Sequence, residues 1–396
     1  MGCGEENNPY EKLDYLTIIP LERDLVVRVY SAYYMYYDGD VESYTHSEFE
    51  YKIGDNRYWT LAGGDYSVDY APEGLKINVP LGSVLQLRAD LDTFINSIDD
   101  TFSDDMDYMH INCDEPFAVC GTPISLLNED LTRALTIHDV SQCCRRLFQR
   151  CTTLQEILNP KTFLPATSVP DNAYREMFIN CTGLINAPEL PAMELGYSCY
   201  YQMFTNCTSL KTAPKILPAT TLYNSCYYGM FRGCESLVKA PKLPATKLPM
   251  YCYSFMFNDC TSLTSAPDIS ITTVNNECCA YMFGDCTSLV NAPKILSAMT
   301  LEYACYMGMF RNCISLVNAP ELPATTLTTS CYGEMFEGCI SLNYIKMLAT
   351  DISGNYCLSD WVSGVASTGT FVKASSMNSL PTGEDGIPSG WTVING

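Results

Sequence analysis

The chain has 396 residues, 47% of them hydrophobic, which allows two or three domains and excludes wholesale disorder. Its charge is uneven: residues 1–142 carry 27 Asp and Glu against 8 Lys and Arg, a net charge of −19 that leaves only −3 of the total −22 for the other 254 residues. Affinity for phosphate depends on clustered Lys and Arg, so this composition argues against nucleic acid as a partner.

Residues 1–12 are polar and contain Pro9, which predicts a tether ahead of the first domain. No hydrophobic run of the signal-peptide kind precedes Cys3, and no segment approaches the roughly 18 apolar residues that a membrane-spanning helix requires. We therefore expect the chain to contact a membrane only through an attached lipid.

Residues 13–120 are predicted to form a small β-sandwich of the immunoglobulin-like kind. Hydrophobic and polar residues alternate in short runs, and Asp-Gly and Gly-Gly pairs between the runs indicate turns. The predicted strands include Leu25–Tyr30, Glu48–Ile53, Lys76–Val79 and Ser83–Leu87.

Two side-chain clusters in this domain each allow two interpretations. Five crowded tyrosines are compatible with a platform that stacks against sugar rings, and also with core and edge positions of a β domain: Tyr30, Tyr33, Tyr34, Tyr36 and Tyr37. Five aspartates supply the oxygen ligands that calcium prefers. Their spacing fits no EF-hand loop, however, and a solvated loop is the other interpretation: Asp99, Asp100, Asp104, Asp105 and Asp107.

Cys113 and Cys120 lie between these clusters and the repeats that follow, on segments that are candidates for adjacent strands. Cα atoms on adjacent strands lie within the distance that a disulfide requires. A disulfide between these two residues is therefore one interpretation, and two free thiols the other.

From Leu147 to Leu342 the chain repeats a single unit, recognised by Met-Phe and, after two further residues, Cys. Leu147-Phe148-Cys151 is a variant copy, and seven regular copies close at Cys181, Cys207, Cys234, Cys260, Cys286, Cys313 and Cys339. The step between closing cysteines is 30 residues once and then 26 or 27, which lies close to the range of leucine-rich repeats. A unit this short cannot bury its own apolar side, so the copies are predicted to stack into a solenoid.

Each unit is predicted to contain one helix and one short strand. Cys226, Met230, Phe231 and Cys234 fall at i, i+4, i+5 and i+8, the spacing of one helix face, and segment 237–241 reads as a strand that ends at its proline. Parallel strands lie about 4.8 Å apart, whereas packed helices need roughly 8–10 Å. We therefore expect a curved α/β leucine-rich repeat solenoid, with strands on its concave side and helices on its convex side.

Twenty-one cysteines would ordinarily indicate a disulfide framework. Cysteines eight residues apart on a helix are about 12 Å apart, beyond the roughly 7 Å that a disulfide allows between Cα atoms. Helix spacing separates equivalent cysteines of neighbouring units as well. Both cysteine columns are therefore predicted to be buried reduced thiols, although in the closing column, nearer the strands, distance alone does not exclude a bridge.

Both ends of the array are predicted to be capped, as a stack with exposed ends requires. Residues 121–357 form the predicted array with its N-terminal cap, and residues 358–396 form the predicted C-terminal cap. Around that second boundary Cys357, Trp361 and Val362 occupy the usual slots of the unit, and Trp391 is expected to close the core.

The recurring strings CTSL, NAPELPATTL and CYxxMFxxC resemble those of the BspA-like, Treponema-type leucine-rich repeat proteins of Bacteroidota and some of their phages. The resemblance runs from Cys120 to the C-terminus, where segments 369–373 and 386–393 resemble the usual close of that family. It implies a surface or virion protein that binds other molecules, commonly in adhesion, and it does not imply an enzyme.

The start of the chain resembles that of a mature Bacteroidota lipoprotein, in which a lipidated cysteine precedes acidic residues. On this interpretation Cys3 carries the lipid, Met1-Gly2 is a cloning remnant, and the protein lies on the extracellular face of the outer membrane. The alternative is a native start, as in a phage gene, which implies a place in the virion.

The sequence contains no recognisable catalytic or cofactor-binding motif. Its three histidines fall in no zinc or triad pattern, and neither a P-loop nor a GxGxxG sequence occurs. We therefore expect a protein that is not an enzyme and that binds neither a metal nor a cofactor.

Positions one, two and five after each strand leucine vary while the frame around them does not, which makes them the candidate binding residues. We expect them on the concave face, where mixed charge together with Val and Asn suits a protein or a glycan better than a polyanion; the other interpretation is a plain solvated surface. They are Lys211, Thr212, Lys215, Val238, Lys239, Lys242, Thr264, Ser265, Asp268, Val290, Asn291, Lys294, Val317, Asn318 and Glu321.

The sequence thus predicts a non-enzymatic adhesion protein of the cell surface whose repeats bind protein or glycan. One alternative is a structural protein of a phage particle, such as a fibre or decoration protein that packs against other virion subunits. Another is a lipoprotein that captures glycans through the front tyrosines and serves a nutrient importer. Outer-membrane or virion proteins are the further partners that these alternatives imply.

Overall fold

The computed structural model describes residues 15–30, 33–37, 40–45, 49–62, 75–89, 109–126, 143–377 and 380–396. Within these ranges there is one short 3-10 helix, Pro123–Leu126, and no α-helix. The strands are β1 Leu16–Pro20, β2 Leu25–Tyr30, β3 Tyr33–Tyr37, β4 Asp40–Thr45, β5 Phe49–Ile53, β6 Thr60–Ala62, β7 Leu75–Val79, β8 Leu85–Arg88, β9 His110–Cys113, β10 Phe117–Cys120, β11 Leu154–Ile157, β12 Ser168–Val169, β13 Glu194–Leu195, β14 Asn318–Leu322, β15 Tyr344–Met347, β16 Thr370–Lys373 and β17 Thr392–Asn395.

The front strands form two sheets and a hairpin. One sheet has the order β11-β10-β1-β8-β5-β6, the second has the order β7-β2-β9, and β3 pairs with β4. Strands β2, β5, β7 and β8 confirm the four predicted runs, because each lies within one or two residues of its predicted bounds.

The immunoglobulin-like part of the prediction does not fit, because the front sheet continues into the repeats. Strand β10 pairs in parallel with β11, the first strand of the array, with Phe117 opposite Leu154 and Val119 opposite Ile157. One hydrophobic core also runs from Leu16 through the repeats. An immunoglobulin-like domain is an antiparallel sandwich around its own core, whereas here the array supplies both a strand and part of the core.

The segments predicted as helices are chains of consecutive β-turns, so that prediction is wrong. The N–H groups of Met230 and Cys234 donate to carbonyls three residues back, at 3.3 Å and 3.1 Å, instead of the four residues back that define an α-helix. The N–H groups of Gly229 and Gly233 donate to carbonyls of the next unit, at 2.9 Å and 2.8 Å. Hydrogen bonds that a helix would keep within one segment are thus divided between the segment and its neighbour.

Every fourth residue of these turns has a positive φ, for example 57° at Ser225 and 70° at Gly233. A positive φ at the third residue of a turn is the geometry of a type II turn, which favours Gly or Asn there. Those types, with Asp, occupy the position before each closing cysteine, namely Asn180, Asn206, Gly233, Asp259, Asp285, Asn312 and Gly338. This column is a signal in the sequence against a helix.

Stacked phenylalanines show why helices do not fit. Their rings are nearly parallel in consecutive units from Phe148 to Phe336, with centroids 5.4–5.8 Å apart. Packed helices need roughly 8–10 Å, whereas extended chains that bond laterally can approach to about 4.8 Å. The difference in spacing from which a concave and a convex side were predicted is therefore absent.

The segments after each strand leucine form continuous strands at the two ends of the array, as β11 at its start and from β14 onward at its C-terminal end. At the C-terminal end β14, β15, β16 and β17 make a parallel sheet in chain order. In the middle units the pairing is reduced to single bridges, such as Ser265 with Asn291 and Asn291 with Asn318. An Ala-Pro pair in each of these segments favours short pairing, because proline has no N–H to donate; β14 has the pair too, and its register with β15 shifts between Asn318 and Glu321.

Tryptophans take over the core at the C-terminal end. The Trp361 ring lies 6.1 Å from that of Phe336, and its Nε1 donates to the Gly386 carbonyl at 2.9 Å. Trp391 is buried and donates from Nε1 to the Ala366 carbonyl at 2.6 Å. Both indoles are thus satisfied at their polar atoms while their rings cover the last units.

Candidate binding surface

The fifteen candidate binding residues share one face of the array, which we call the strand face. Each strand leucine is fully buried, which holds the segment so that the varying positions beside it point outward: Leu184, Leu210, Leu237, Leu263, Leu289, Leu316 and Leu342. Fourteen of the fifteen residues are exposed and Glu321 is half-buried. The structure therefore brings the predicted set together on the surface.

Backbone hydrogen bonds between units fix the lateral order of the strand face. The N–H of Lys211 donates to the Ile185 carbonyl at 2.9 Å, and that of Val290 donates to the Thr264 carbonyl at 3.0 Å. Side chains add to this order where Asn291 Nδ2 donates to Ser265 Oγ at 3.2 Å. Equivalent residues of neighbouring units therefore lie side by side in columns.

Exposed apolar side chains form part of one such column. Val238, Val290 and Val317 are 53%, 46% and 36% exposed. Single exposed valines are ordinary on protein surfaces, but these three occupy the same position of their units. They give the strand face apolar contact points among its charged and polar residues.

The charges of the strand face are not evenly paired. Glu321 Oε1 lies 2.8 Å from Lys346 Nζ, and this hydrogen bond raises the pKa of the Lys346 ammonium. The other lysines on two neighbouring units have no carboxylate within ion-pair distance in the part of the chain that the structure describes: Lys211, Lys215, Lys239 and Lys242. Positive charge is thus available to a ligand at these units.

The cysteine columns are internal structure and not reactive sites. All twenty described cysteines are free, and those of the two columns are buried, as predicted. In the closing column the thiols from Cys181 to Cys339 donate to the carbonyl of a phenylalanine in an earlier unit, as Cys260 Sγ does to Phe231 at 3.1 Å, and Cys151 Sγ donates to the Ile111 carbonyl at 3.2 Å. Burial raises the pKa of Cys151 and Cys339 to about 12. Such thiols stay protonated at neutral pH and are poor nucleophiles.

Two pairs of cysteines are placed differently from what the sequence predicted. Cys226 Sγ and Cys252 Sγ are 3.5 Å apart, so equivalent cysteines of neighbouring units are not separated by helix spacing. Cys113 and Cys120 are both buried and free, and they lie on β9 and β10, which belong to different sheets. The structure therefore contains no disulfide between them.

An aromatic column on the outside of the turns was not singled out by the sequence. Tyr201, Tyr228, Phe255 and Tyr281 follow one another with ring centroids 4.7, 5.6 and 5.1 Å apart. Arg175 lies 4.3 Å above the first ring, and a Cβ on the glycine of the next unit would lie 2.3 Å from the last ring. Because both ends of the column are covered, its rings offer no open face to a sugar.

Several sequence-based candidates fall outside the described residues. They are Cys3, the side chains of the five front tyrosines, and the five aspartates between Asp99 and Asp107. The described histidine, His110, places its Nε2 2.6 Å from the Gln149 carbonyl, and burial lowers its pKa. Among the described residues no group of three or more His, Cys, Asp or Glu is arranged to hold a metal ion.

Comparison with known proteins yields no match: no family model, no curated protein and no solved structure is similar to this chain at a significant level. Within the described residues, no helix has the length and apolar character that crossing a membrane requires. A proposal for the function of this chain therefore depends on the geometry of its strand face.

Proposed function

We propose that this protein is a non-enzymatic binding protein whose strand face takes up a protein or glycan ligand. The observation that carries the proposal is the contrast within each unit. The frame of Leu, Met, Phe and Cys recurs and is buried, whereas the residues that vary are exposed on one face. A rigid scaffold that displays variable side chains in columns is the arrangement that repeat proteins use for binding.

The resemblance to BspA-like proteins supports a place for this protein on the cell surface. We propose that Cys3 carries the lipid that holds it at the extracellular face of the outer membrane. A virion protein remains the alternative, in which the same face packs against other subunits. Genomic DNA upstream of Cys3 separates the two, because a signal sequence ending in a small residue supports the lipoprotein and a start codon among phage genes supports the virion.

The test of the strand face uses the full chain, because β10 and β11 share a sheet and a cut between them would divide the core. The full chain is screened against host matrix proteins and gut polysaccharides, together with two double variants. In V238E/V317E, two exposed valines of the strand face become charged. In T246E/T325E, exposed threonines outside that face, in the same two units, receive the same charge.

We expect a bound ligand to be lost in V238E/V317E and kept in T246E/T325E. Circular dichroism and thermal unfolding check that both variants fold. Binding that survives both pairs of substitutions would move the site away from the strand face, for example to the front tyrosines. A chain that binds nothing in the screen would favour the virion alternative.

A further inference from the structure

Four lysines of the strand face lie together on two neighbouring units. Lys211 and Lys215 belong to one unit, and Lys239 and Lys242 to the next. The backbones are directly paired there, because the Lys242 N–H donates to the Lys215 carbonyl at 3.1 Å and Lys242 bridges to Ile216. All four side chains are exposed, and we call this group the lysine patch.

The lysine patch is bounded by opposite charge along the array. The residue equivalent to Lys215 in the preceding unit is Glu189, and the residue equivalent to Lys242 in the following unit is Asp268. Further along the same column Glu321 is neutralised by Lys346 at 2.8 Å. The mixed charge of the whole strand face thus separates in space into a positive segment two units wide.

We propose that the lysine patch binds a linear polysaccharide that carries carboxylate or sulfate groups. This inference rests on the proposed function and names the ligand class of the same face. Four ammonium groups on adjacent units, unpaired among the residues that the structure describes, complement a chain with repeated negative charges. Lysine acts as a compact, hydrated point charge that does not demand the bidentate geometry of arginine, which suits a flexible, hydrated ligand.

The composition of the patch favours a polysaccharide over an acidic protein. Protein interfaces obtain most of their binding energy from Trp, Tyr and Arg and are depleted of Lys. The fifteen residues of the strand face include no Trp, Tyr or Arg. Several of its backbone N–H groups, such as those of Lys211 and Lys242, already donate to a neighbouring unit, so they are not available for strand addition by a peptide.

Nucleic acid and anionic lipid fit less well. The fifteen residues of the strand face include no aromatic ring on which a base could stack. Glu189 and Asp268 flank the lysine patch, so a broad anionic membrane surface would also meet these carboxylates, whereas a single linear chain can contact the lysines alone. Val238, 53% exposed beside Lys239, gives the apolar side of a sugar ring a contact that charge alone would not supply.

The experiment measures binding of the full chain to polygalacturonate, dextran sulfate and uncharged dextran by isothermal titration calorimetry, at low and at physiological ionic strength. Poly-glutamate represents an acidic protein. The variants are K211Q/K215Q/K239Q/K242Q, the double K239Q/K242Q, and the control K161Q/K247Q, which removes two exposed lysines outside the strand face. Circular dichroism checks that each variant is folded.

We expect at least one anionic polysaccharide to bind, dextran to fail, and affinity to fall about tenfold or more in the quadruple variant, since several exposed ion pairs are lost together. The double variant lies between wild type and the quadruple variant, and K161Q/K247Q binds as the wild type does. The affinity should fall with salt, and the quadruple variant should lose that dependence.

Two results would overturn the inference while leaving the proposed function intact. One is a neutral glycan or a host protein whose binding is lost in V238E/V317E and kept in the quadruple lysine variant. The other is lysine-dependent binding of poly-glutamate with no binding of either anionic polysaccharide. If neither the lysine substitutions nor V238E/V317E changes any binding that is observed, the inference and the proposed function both fail.

Discussion

The stacked β-turns of each unit, such as those from Tyr223 to Cys234, form a second side of the array, which we call the turn side. The turn side and the strand face are built from the same units at the same spacing, yet they differ in what they repeat. On the turn side identical residues stack, and the phenylalanines, tyrosines and cysteines there are buried from unit to unit. On the strand face the backbone is equally regular, whereas the side chains change from Lys to Thr to Val to Asp.

This difference separates stability from recognition within one unit. A buried column is stabilised only if its neighbours match it in size, so substitutions there affect two interfaces at once. An exposed column has no such constraint, so its residues are free to suit a ligand. Substitutions on the turn side and on the strand face test this separation.

Phe257→Ala should destabilise the fold most. The ring is fully buried and stacks between two others, with centroids 5.6 Å from Phe231 and 5.5 Å from Phe283. Removing it leaves a cavity inside the stack, and we expect a loss of about 3–5 kcal/mol in the free energy of unfolding. Urea unfolding followed by circular dichroism measures it. As the control, Val238→Ala on the strand face should stay within about 0.5 kcal/mol; equal losses would mean that the two sides do not differ.

Alkaline pH should reduce the stability of the turn side by a smaller amount than Phe257→Ala does. Burial raises the pKa of Cys151 and Cys339 from 9.0 to about 12. The unfolded thiols ionise more readily, so the stability that they contribute is complete below about pH 9 and is lost as pH rises toward the folded value. The free energy of unfolding should therefore decrease across this interval. Replacing both residues by alanine should reduce the slope, and an unchanged slope would contradict the assignment.

The rate of alkylation provides a second test of whether the closing cysteines are buried and protonated. In the native protein near neutral pH, iodoacetamide should label the buried closing cysteines far more slowly than it does in urea, because they are both inaccessible and protonated. Mass spectrometry of peptides counts the labels. Fast labelling of Cys260, which is fully buried, would show that the units open readily in solution.

Gly233→Ala should have a smaller effect that is still measurable. Its φ is 70°, and an added Cβ would lie 2.4 Å from Asn206 Oδ1. The left-handed conformation costs an L-residue about 1–2 kcal/mol, so we expect a loss of that order in urea unfolding. Gly333 lacks a positive φ, and its Cβ would meet atoms no closer than 3.5 Å. Gly333→Ala should therefore be tolerated, and similar losses in both variants would argue against the turn geometry.

K239Q/K242Q should have the smallest effect on stability. Both lysines are exposed and unpaired among the described residues, so thermal unfolding should shift by no more than a surface substitution does, about 0.5 kcal/mol. Any ligand of the strand face should nevertheless bind more weakly. Unchanged affinity for such a ligand, or a large loss of stability, would remove the distinction between the two sides at this position.

The local and periodic features of this structure could be predicted from the sequence. The repeat step, the burial of Leu237, Phe231 and Cys234, the four front strands and the exposure of the candidate binding residues all follow from the pattern of apolar positions. These features depend on which side chains are hydrophobic, and the spacing of hydrophobic residues can be read directly from the sequence.

Whether the turn side is helical depends on hydrogen bonds between units and could not be predicted from a single unit. Buried residues at i, i+4, i+5 and i+8 fit a helix face and also a run of turns that advances four residues at a time. The choice depends on where the alternate N–H groups donate, and Gly229 donates to a residue of the next unit. That partner is supplied by stacking at about 5.5 Å, and no single unit shows it apart from the Asn, Asp or Gly before each closing cysteine.

The same reason applies to the other features that the sequence did not reveal. The pairing of β10 with β11, the contact between Cys226 and Cys252, and the grouping of the lysine patch all join residues that are about one unit or more apart in the chain. Burial follows from the hydrophobic character of each residue and its spacing along the chain, whereas contacts between units depend on how the units stack. Buried residues could therefore be predicted from the sequence, and the neighbours of each residue became known only from the stacked structure.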